Sequence, residues 1–129
     1  MDMGSRRNQE TDGKRTFDKM REIKVGFASE EIKKAFDELK SGKFEDKQLY
    51  EFLERAIDDL KKNPFVGKNV PKNLIPKEYI RNFGIDNLRK YDLPNAWRLM
   101  YTLKGNELTI VSVILEWLDH KNYERRFKY

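Results

Sequence analysis

The segment 108–117 (LTIVSVILEW) constrains the fold most, because apolar residues occupy both sets of alternating positions along it. A strand with one apolar face needs cover on one side only, whereas this segment must be covered on both sides. A tight turn at Lys104-Gly105-Asn106 precedes it and joins it to the chain upstream. The segment is therefore predicted to be a central strand of a sheet.

Two further strands are predicted directly upstream. Residues 87–93 (NLRKYDL) form one and residues 96–103 (AWRLMYTL) the other, with a turn at Pro94-Asn95 between them. The second of these strands alternates, and its large apolar face consists of Trp97, Leu99, Tyr101 and Leu103. These strands and the last one are predicted to form an antiparallel meander.

The N-terminal half predicts one strand followed by two helices. Residues 21–28 (REIKVGFA) alternate between apolar and polar side chains, as in a half-buried strand. Ser29 is a typical N-cap, so a helix is predicted to begin at Glu30 and to end at Ser41-Gly42. A second helix is predicted over residues 45–62, where a continuous apolar stripe stops at Asn63-Pro64.

These elements predict an α+β domain over residues 21–129. Two N-terminal helices pack on one face of a small, mostly antiparallel four-stranded sheet, and a short C-terminal helix or tail follows. The stretch 64–76 (PFVGKNVPKNLIP) has the composition of a long loop. Residues 1–20 show no apolar periodicity and are interpreted as a disordered arm or an expression remnant.

Composition excludes several classes of protein. The chain has no cysteine and one histidine, which excludes a disulfide scaffold and makes a zinc site improbable. No apolar run approaches the roughly 18 residues that a membrane span needs, so a cytoplasmic protein without a membrane partner is expected. Gly-rich phosphate loops and serine-hydrolase elbows are absent from the sequence, and no cofactor or metal is expected.

The net charge of +5 is unevenly distributed. Residues 63–129 hold 12 basic and 7 acidic residues, whereas the segment 21–62 is nearly balanced. An excess of this kind favours an anionic partner for the second half of the chain, with nucleic acid as the leading candidate. A solvated basic surface without any partner is the alternative.

Arg98 is the most unusual residue of the meander. If the large apolar face of its strand packs on the helices, Arg98 emerges on the opposite face of the sheet. An arginine within an inner strand is costly unless its charge is compensated. Either Asp92 or Glu116 on a neighbouring strand pairs with it, or it binds an anionic ligand.

Further basic residues and the single histidine lie close to Arg98 in the predicted fold. Arg89 and Lys90 belong to the preceding strand, and His120 follows directly after the central strand. The C-terminal run continues with Lys121, Tyr123, Arg125 and Arg126. Their positions predict a basic surface at one edge of the sheet.

The order of these elements, together with the segments AWRLMY (96–101) and DHKNY (119–123), resembles the RelE/ParE toxin superfamily of bacteria and archaea. The resemblance covers residues 21–129. It implies a small toxin that is neutralised by a cognate antitoxin. Many members cleave messenger RNA in the ribosomal A site without a metal, whereas others poison DNA gyrase or lack known toxicity.

The resemblance also implies roles for particular residues. Arg98 matches the strand arginine that contacts the scissile phosphate, and Tyr123 matches a C-terminal tyrosine that some members use in catalysis. His120 matches a histidine of several branches, and Arg89 or Lys90 fills the basic position on the preceding strand.

A metal-independent mRNA endoribonuclease, with mRNA and the ribosome as partners, is therefore expected. Attack by the 2'-OH needs a base, a cation for the phosphorane and an acid for the leaving oxygen. His120 is predicted to be the base or acid, Arg98 the phosphate clamp and Tyr123 a stacking or proton-sharing group. Lys90 completes the predicted catalytic set. The predicted RNA-binding residues are Arg89, Lys121, Arg125 and Arg126.

The alternative is a non-catalytic module that binds RNA or a protein on the same fold. In that case Arg98 pairs with Glu116, His120 packs at the start of a helix, and Tyr123, Phe127 and Tyr129 are docking aromatics. Inhibition of a topoisomerase by the same scaffold is a third possibility.

Overall fold

Five strands and four α-helices make up residues 21–128, the part of the chain that the computed structural model describes. Residues 1–20, which hold the predicted arm, and residue 129 lie outside the described residues. In chain order the elements are β1 (Glu22–Phe27), α1 (Glu30–Glu38), α2 (Phe44–Lys62), β2 (Lys68–Asn69), α3 (Lys77–Phe83), β3 (Arg89–Asp92), β4 (Arg98–Gly105), β5 (Thr109–Leu118) and α4 (His120–Phe127).

The strands form a single mixed sheet in the order β1-β5-β4-β3-β2. β5 pairs in parallel with β1 and antiparallel with β4, so the predicted position of this strand inside the sheet is confirmed. The α+β class is also confirmed. The predicted strand count is wrong, because β2 adds a strand beyond β3. A strand of two residues has no period from which it could be recognised.

The two N-terminal helices begin close to the predicted positions, for local reasons. The Ser29 hydroxyl accepts a hydrogen bond from the Ile32 amide at 3.2 Å, as expected of an N-cap. At α2, the Asp46 carboxylate accepts from the Lys43 amide at 3.1 Å, and the helix starts one residue earlier than predicted. α2 ends before Pro64, which cannot continue a helix.

One face of the sheet is covered by α1 and α2, which build the larger of two apolar clusters. This hairpin core contains Phe36, Leu49, Leu53, Ala56, Leu60, Leu93, Leu99, Tyr101 and Ile114. Leu99 and Tyr101 point towards the helices, and Trp97 and Leu103 pack at the edge of the same cluster. The predicted apolar face of β4 is therefore confirmed.

The opposite face of the sheet is covered as well. This second core contains Ile75, Tyr79, Ile85, Leu88, Met100, Leu115, Leu118 and Tyr123. α3 contributes Tyr79 and α4 contributes Tyr123. The sequence predicted helices on one face only, so the cover that α3 and α4 provide on this face was not predicted. α3 was missed because its seven residues are too few to show helical periodicity.

The loop after α2 is fixed to β4 through Tyr101. The buried Tyr101 hydroxyl donates to the Pro64 carbonyl at 2.8 Å and accepts from the Gly67 amide at 3.0 Å. A Cβ atom at position 67 would lie 2.7 Å from that hydroxyl oxygen, so the close approach requires glycine. Two residues of the predicted loop, Pro64 and Gly67, are therefore buried against β4.

Candidate anion-binding site

The pairing of β3 with β4 decides which basic side chains can act together. Asp92 lies opposite Arg98, Lys90 opposite Met100, and Arg89 opposite Tyr101. Because side chains alternate between faces, Lys90, Asp92 and Arg98 share the face of the second core. The sequence left open whether Arg89 or Lys90 accompanies Arg98, and the register selects Lys90.

The ring of Tyr123 lies beneath Lys90 and Arg98. The Arg98 guanidinium carbon is 4.9 Å from the ring centroid and the Lys90 Nζ is 5.5 Å from it. Tyr123 is only 7% exposed, so the ring is held by the second core rather than by the cations. Both positive charges are therefore positioned by one rigid aromatic surface.

Asp92 bridges Lys90 and Arg98. Its Oδ1 lies 3.4 Å from the Lys90 Nζ and 3.3 Å from the Arg98 Nε. The Asp92 side chain is 51% exposed, whereas those of Lys90 and Arg98 are 20% and 18% exposed. Of the partners considered for Arg98 from the sequence, the structure thus shows Asp92 at ion-pair distance.

Glu116 forms an ion pair with Arg126 of α4. The Arg126 guanidinium carbon also lies 5.5 Å from the centroid of the Tyr79 ring, so the pair connects α3, β5 and α4. Burial, followed by the neighbouring Glu116 carboxylate, raises the pKa of the Tyr79 hydroxyl. Arg126, predicted to bind RNA, is therefore already engaged in holding the second core together.

Arg89 is separated from Lys90 and Arg98 by the sheet. Its Nη2 donates to the carbonyls of Phe65 at 3.1 Å and Gly67 at 2.5 Å, and its guanidinium lies 5.6 Å from the Phe65 ring centroid. These contacts attach the loop before β2 to β3. The predicted role of Arg89 in RNA binding stays a prediction.

His120 is the first residue of α4 and follows closely on Leu118, which lies opposite Arg98 in the sheet. Its side chain is 57% exposed, and its Nε2 lies 3.1 Å from the Glu124 Oε2. The non-catalytic alternative predicted that His120 packs at the start of a helix, whereas its side chain is mostly exposed. The exposed part of α4 also carries Lys121 and Arg125, whose guanidinium donates to the Asn122 side-chain oxygen at 3.3 Å.

The aromatic residues of α4 pack inwards. The rings of Tyr123 and Phe127 are 4.6 Å apart between centroids, and both belong to the second core. The non-catalytic alternative required Tyr123 to be an exposed docking residue, but the side chain is buried. Tyr129, the third aromatic residue of that alternative, lies outside the described residues.

The family model of the ParE toxin of type II toxin-antitoxin systems, parDE, matches residues 27–116. The chain belongs to this family. The resemblance to the RelE/ParE superfamily is therefore confirmed, and a cognate antitoxin is implied. Neither a curated protein nor a solved structure matches the chain. The matched range includes Lys90, Asp92 and Arg98 but ends before His120 and Tyr123.

In this ParE-family toxin, Lys90, Arg98 and the Asp92 carboxylate between them form the candidate site. Within residues 21–128, no group of three or more His, Asp or Glu side chains is placed to hold a metal ion. In the same range, no helix combines the length and apolarity that crossing a bilayer requires. Lys90 and Arg98 instead present positive charge towards a half-exposed position that a carboxylate occupies.

The bridging role of Asp92 was missed in the sequence. Lys90 and Asp92 stand two residues apart in β3, and that spacing alone places them on one face of a strand. Asp92 was considered only as a partner of Arg98, although the same spacing predicts contact with Lys90.

Proposed function

We propose that this ParE-family toxin is a metal-independent mRNA endoribonuclease that acts at the ribosome in the cytoplasm. Lys90 and Arg98 hold the scissile phosphate in this proposal. The observation that carries it is the convergence of both side chains over the buried Tyr123 ring, on the face of the sheet next to α4.

The site suits a phosphodiester for electrostatic reasons. During 2'-OH attack, negative charge develops on the phosphorane oxygens and must be stabilised by fixed positive groups. The Arg98 guanidinium presents donors in a planar fork, whereas Lys90 supplies a compact charge beside it. Both side chains are largely buried, so water screens them less than it would screen exposed cations.

His120 is the proton-transfer group in this proposal. Histidine can both accept and donate a proton near neutral pH, and the exposed His120 ring is accessible to a ligand. The Glu124 carboxylate orients the ring through its contact with Nε2. Tyr123 acts as the aromatic platform beneath the cations, since its burial suits a fixed surface better than contact with the 2'-OH.

Induced expression of the toxin tests this function. Wild type is expected to arrest growth and to produce discrete mRNA ends that primer extension maps on actively translated messages. Arg98→Ala should lower cleavage by about 100-fold, because one stabilising donor set is lost from the transition state. Arg81→Ala, which removes an exposed arginine from α3, is the matched control and should cleave as wild type does. Growth arrest by wild type without new mRNA ends contradicts the proposal.

A topoisomerase inhibitor is the second candidate, and the extent of the family match favours it. The match ends at residue 116, so it contains the cations but neither His120 nor Tyr123. A toxin that inhibits an enzyme by binding has no need of a proton-transfer group. Under this candidate, His120→Ala arrests growth as strongly as wild type, and plasmids isolated after induction lose negative supercoiling. Under the nuclease proposal, His120→Ala abolishes the arrest and supercoiling does not change.

A further inference from the structure

We propose that Asp92 is an internal counter-ion, which occupies the position of a nucleic-acid phosphate between Lys90 and Arg98 and is displaced when RNA binds. The inference rests on the proposed function, because it concerns the same two cations. In this inference, the Asp92 carboxylate competes with RNA for Lys90 and Arg98.

The first argument is position. A single oxygen of Asp92 lies within 3.4 Å of the Lys90 Nζ and within 3.3 Å of the Arg98 Nε. A phosphate oxygen bound by both cations would need the same location. Carboxylate and phosphate therefore cannot be held there together.

The second argument is access. Asp92 is 51% exposed, whereas the cations on either side of it are at most 20% exposed. The carboxylate thus lies on the solvent side of the site, where an incoming phosphate meets it first. Moving it aside breaks only ion pairs that solvent already screens, since half of the side chain is in water.

The third argument is the quality of the contact. The Arg98 Nε is buried and has no hydrogen-bond partner among the described residues, although the Asp92 carboxylate lies at ion-pair distance from it. The ion pair is therefore not reinforced by a hydrogen bond at this nitrogen. A phosphate that aligns better with the guanidinium gains a contact that Asp92 does not supply.

The cations themselves are not held by Asp92 alone. The ring of Tyr123 lies beneath Lys90 and Arg98 and belongs to the second core. Removal of the Asp92 charge is thus expected to leave both cations in position. Asp92→Asn keeps the shape of the side chain and makes it neutral, so its effect on affinity reports competition.

The test compares the affinities of the full-length protein and its variants for a short oligouridine RNA, by fluorescence anisotropy at one fixed ionic strength. Asp92→Asn is expected to lower Kd by about fivefold, the size of effect that a half-exposed ion pair supports. Asp58→Asn removes the same charge from an exposed position on α2 and should change Kd by less than about 1.5-fold. Arg98→Ala should weaken binding by at least about tenfold.

A second measurement is independent of RNA structure. Inorganic phosphate is titrated against each variant, and the shift in Tm is recorded. Phosphate should raise the Tm of Asp92→Asn more than that of wild type, since ligand binding stabilises the folded state. The Tm values without phosphate also show whether each variant is folded.

The possible outcomes separate the two proposals. Binding that depends on Arg98 but is unchanged or weakened by Asp92→Asn overturns the competition by Asp92 and leaves the proposed function standing. RNA binding that Arg98→Ala does not affect overturns the proposed function and the inference with it. An equal gain in affinity for Asp92→Asn and Asp58→Asn also overturns the inference, because net charge then accounts for it.

Discussion

One face of the sheet is covered by α1 and the 19-residue helix α2, and the other by α3 and α4, which have seven and eight residues. On one face, α1 and α2 place continuous apolar stripes over Leu99, Tyr101 and Ile114. On the other face, the short helices α3 and α4 cover Met100 and Leu115, and charged side chains lie around the rim. Short helices bury less apolar area, so charged side chains can lie partly buried at the edge of the second core. The first face thus carries the larger apolar core, and the second carries a smaller core together with the candidate site.

The largest effect on stability is expected in the hairpin core. Leu53 of α2 is 1% exposed and belongs to the hairpin core. Leu53→Ala should lower the free energy of unfolding by about 3 kcal/mol, measured by urea denaturation, because a cavity replaces the side chain. Leu108→Ala, at a residue that is 75% exposed, should cost less than about 0.5 kcal/mol. Equal losses for the two variants would show that α2 does not carry the stability of this face.

A smaller loss is expected when the ion pair of the second core is broken. Arg126→Ala leaves the Glu116 carboxylate beside Tyr79 without its counter-ion, and should cost about 1–2 kcal/mol. Lys33→Ala is the matched control, because it breaks an exposed pair with Asp37 and should cost less than about 0.5 kcal/mol. If both variants lose the same amount, the connection between α3, β5 and α4 contributes no more than a surface pair.

The hairpin face also has a titratable contact. Burial and a hydrogen bond from Tyr91 to Asp59 raise the pKa of Tyr91 from 10.0 to about 12. Between pH 10 and 12, the unfolded chain loses this phenolic proton and the folded chain keeps it, so stability falls as pH rises.

Phenylalanine at position 91 removes that contribution. Tyr91→Phe should lose about 1 kcal/mol at neutral pH, because the Asp59 carboxylate loses a donor. Its free energy of unfolding should then decline less steeply than that of wild type across the same pH range, measured by denaturant titration at several pH values. Parallel profiles for the two proteins would contradict the raised pKa.

The smallest effects are expected at the exposed cations of α4. Lys121→Ala and Arg125→Ala should leave stability within about 0.5 kcal/mol of wild type. Each should reduce the slope of log Kd against log salt for single-stranded RNA by about 0.7, if the side chain contacts a phosphate. An unchanged salt slope would show that the changed side chain does not contact a phosphate.

The longer elements could be predicted from sequence because each has a period. The apolar stripe of α2 and the two-sided apolar run of β5 needed only spacing, and Ser29 marked a helix start. α3 and β2 were missed, since seven and two residues carry too little pattern. The parallel pairing of β1 with β5 brings together segments far apart in the sequence, and spacing within either strand does not encode it.

The sequence predicted which residues form the candidate site, but it did not predict how they pair. Arg98, Lys90 and Tyr123 lie together, because strand alternation and chain order constrain them. Alternation along β3 places Arg89 and Lys90 on opposite faces, but the β3–β4 register decides which of them shares the face of Arg98. An irregularity at Met100/Tyr101 also shifts the β4–β5 register. The pairing of Glu116 with Arg126 depends on how α4 packs, which sequence spacing does not specify.

The parallel pairing of β1 with β5 also determines when the sheet of the toxin can form during synthesis of the chain. β1 ends at Phe27, and its partner strand starts at Thr109, roughly 80 residues later. At about 5 to 20 residues per second, the ribosome needs about 4 to 16 s to make that interval. During this time the hairpin helices can form, but the first strand has no neighbour in the sheet. The charged face next to α4 is assembled last, so a truncated chain released before residue 109 would lack it.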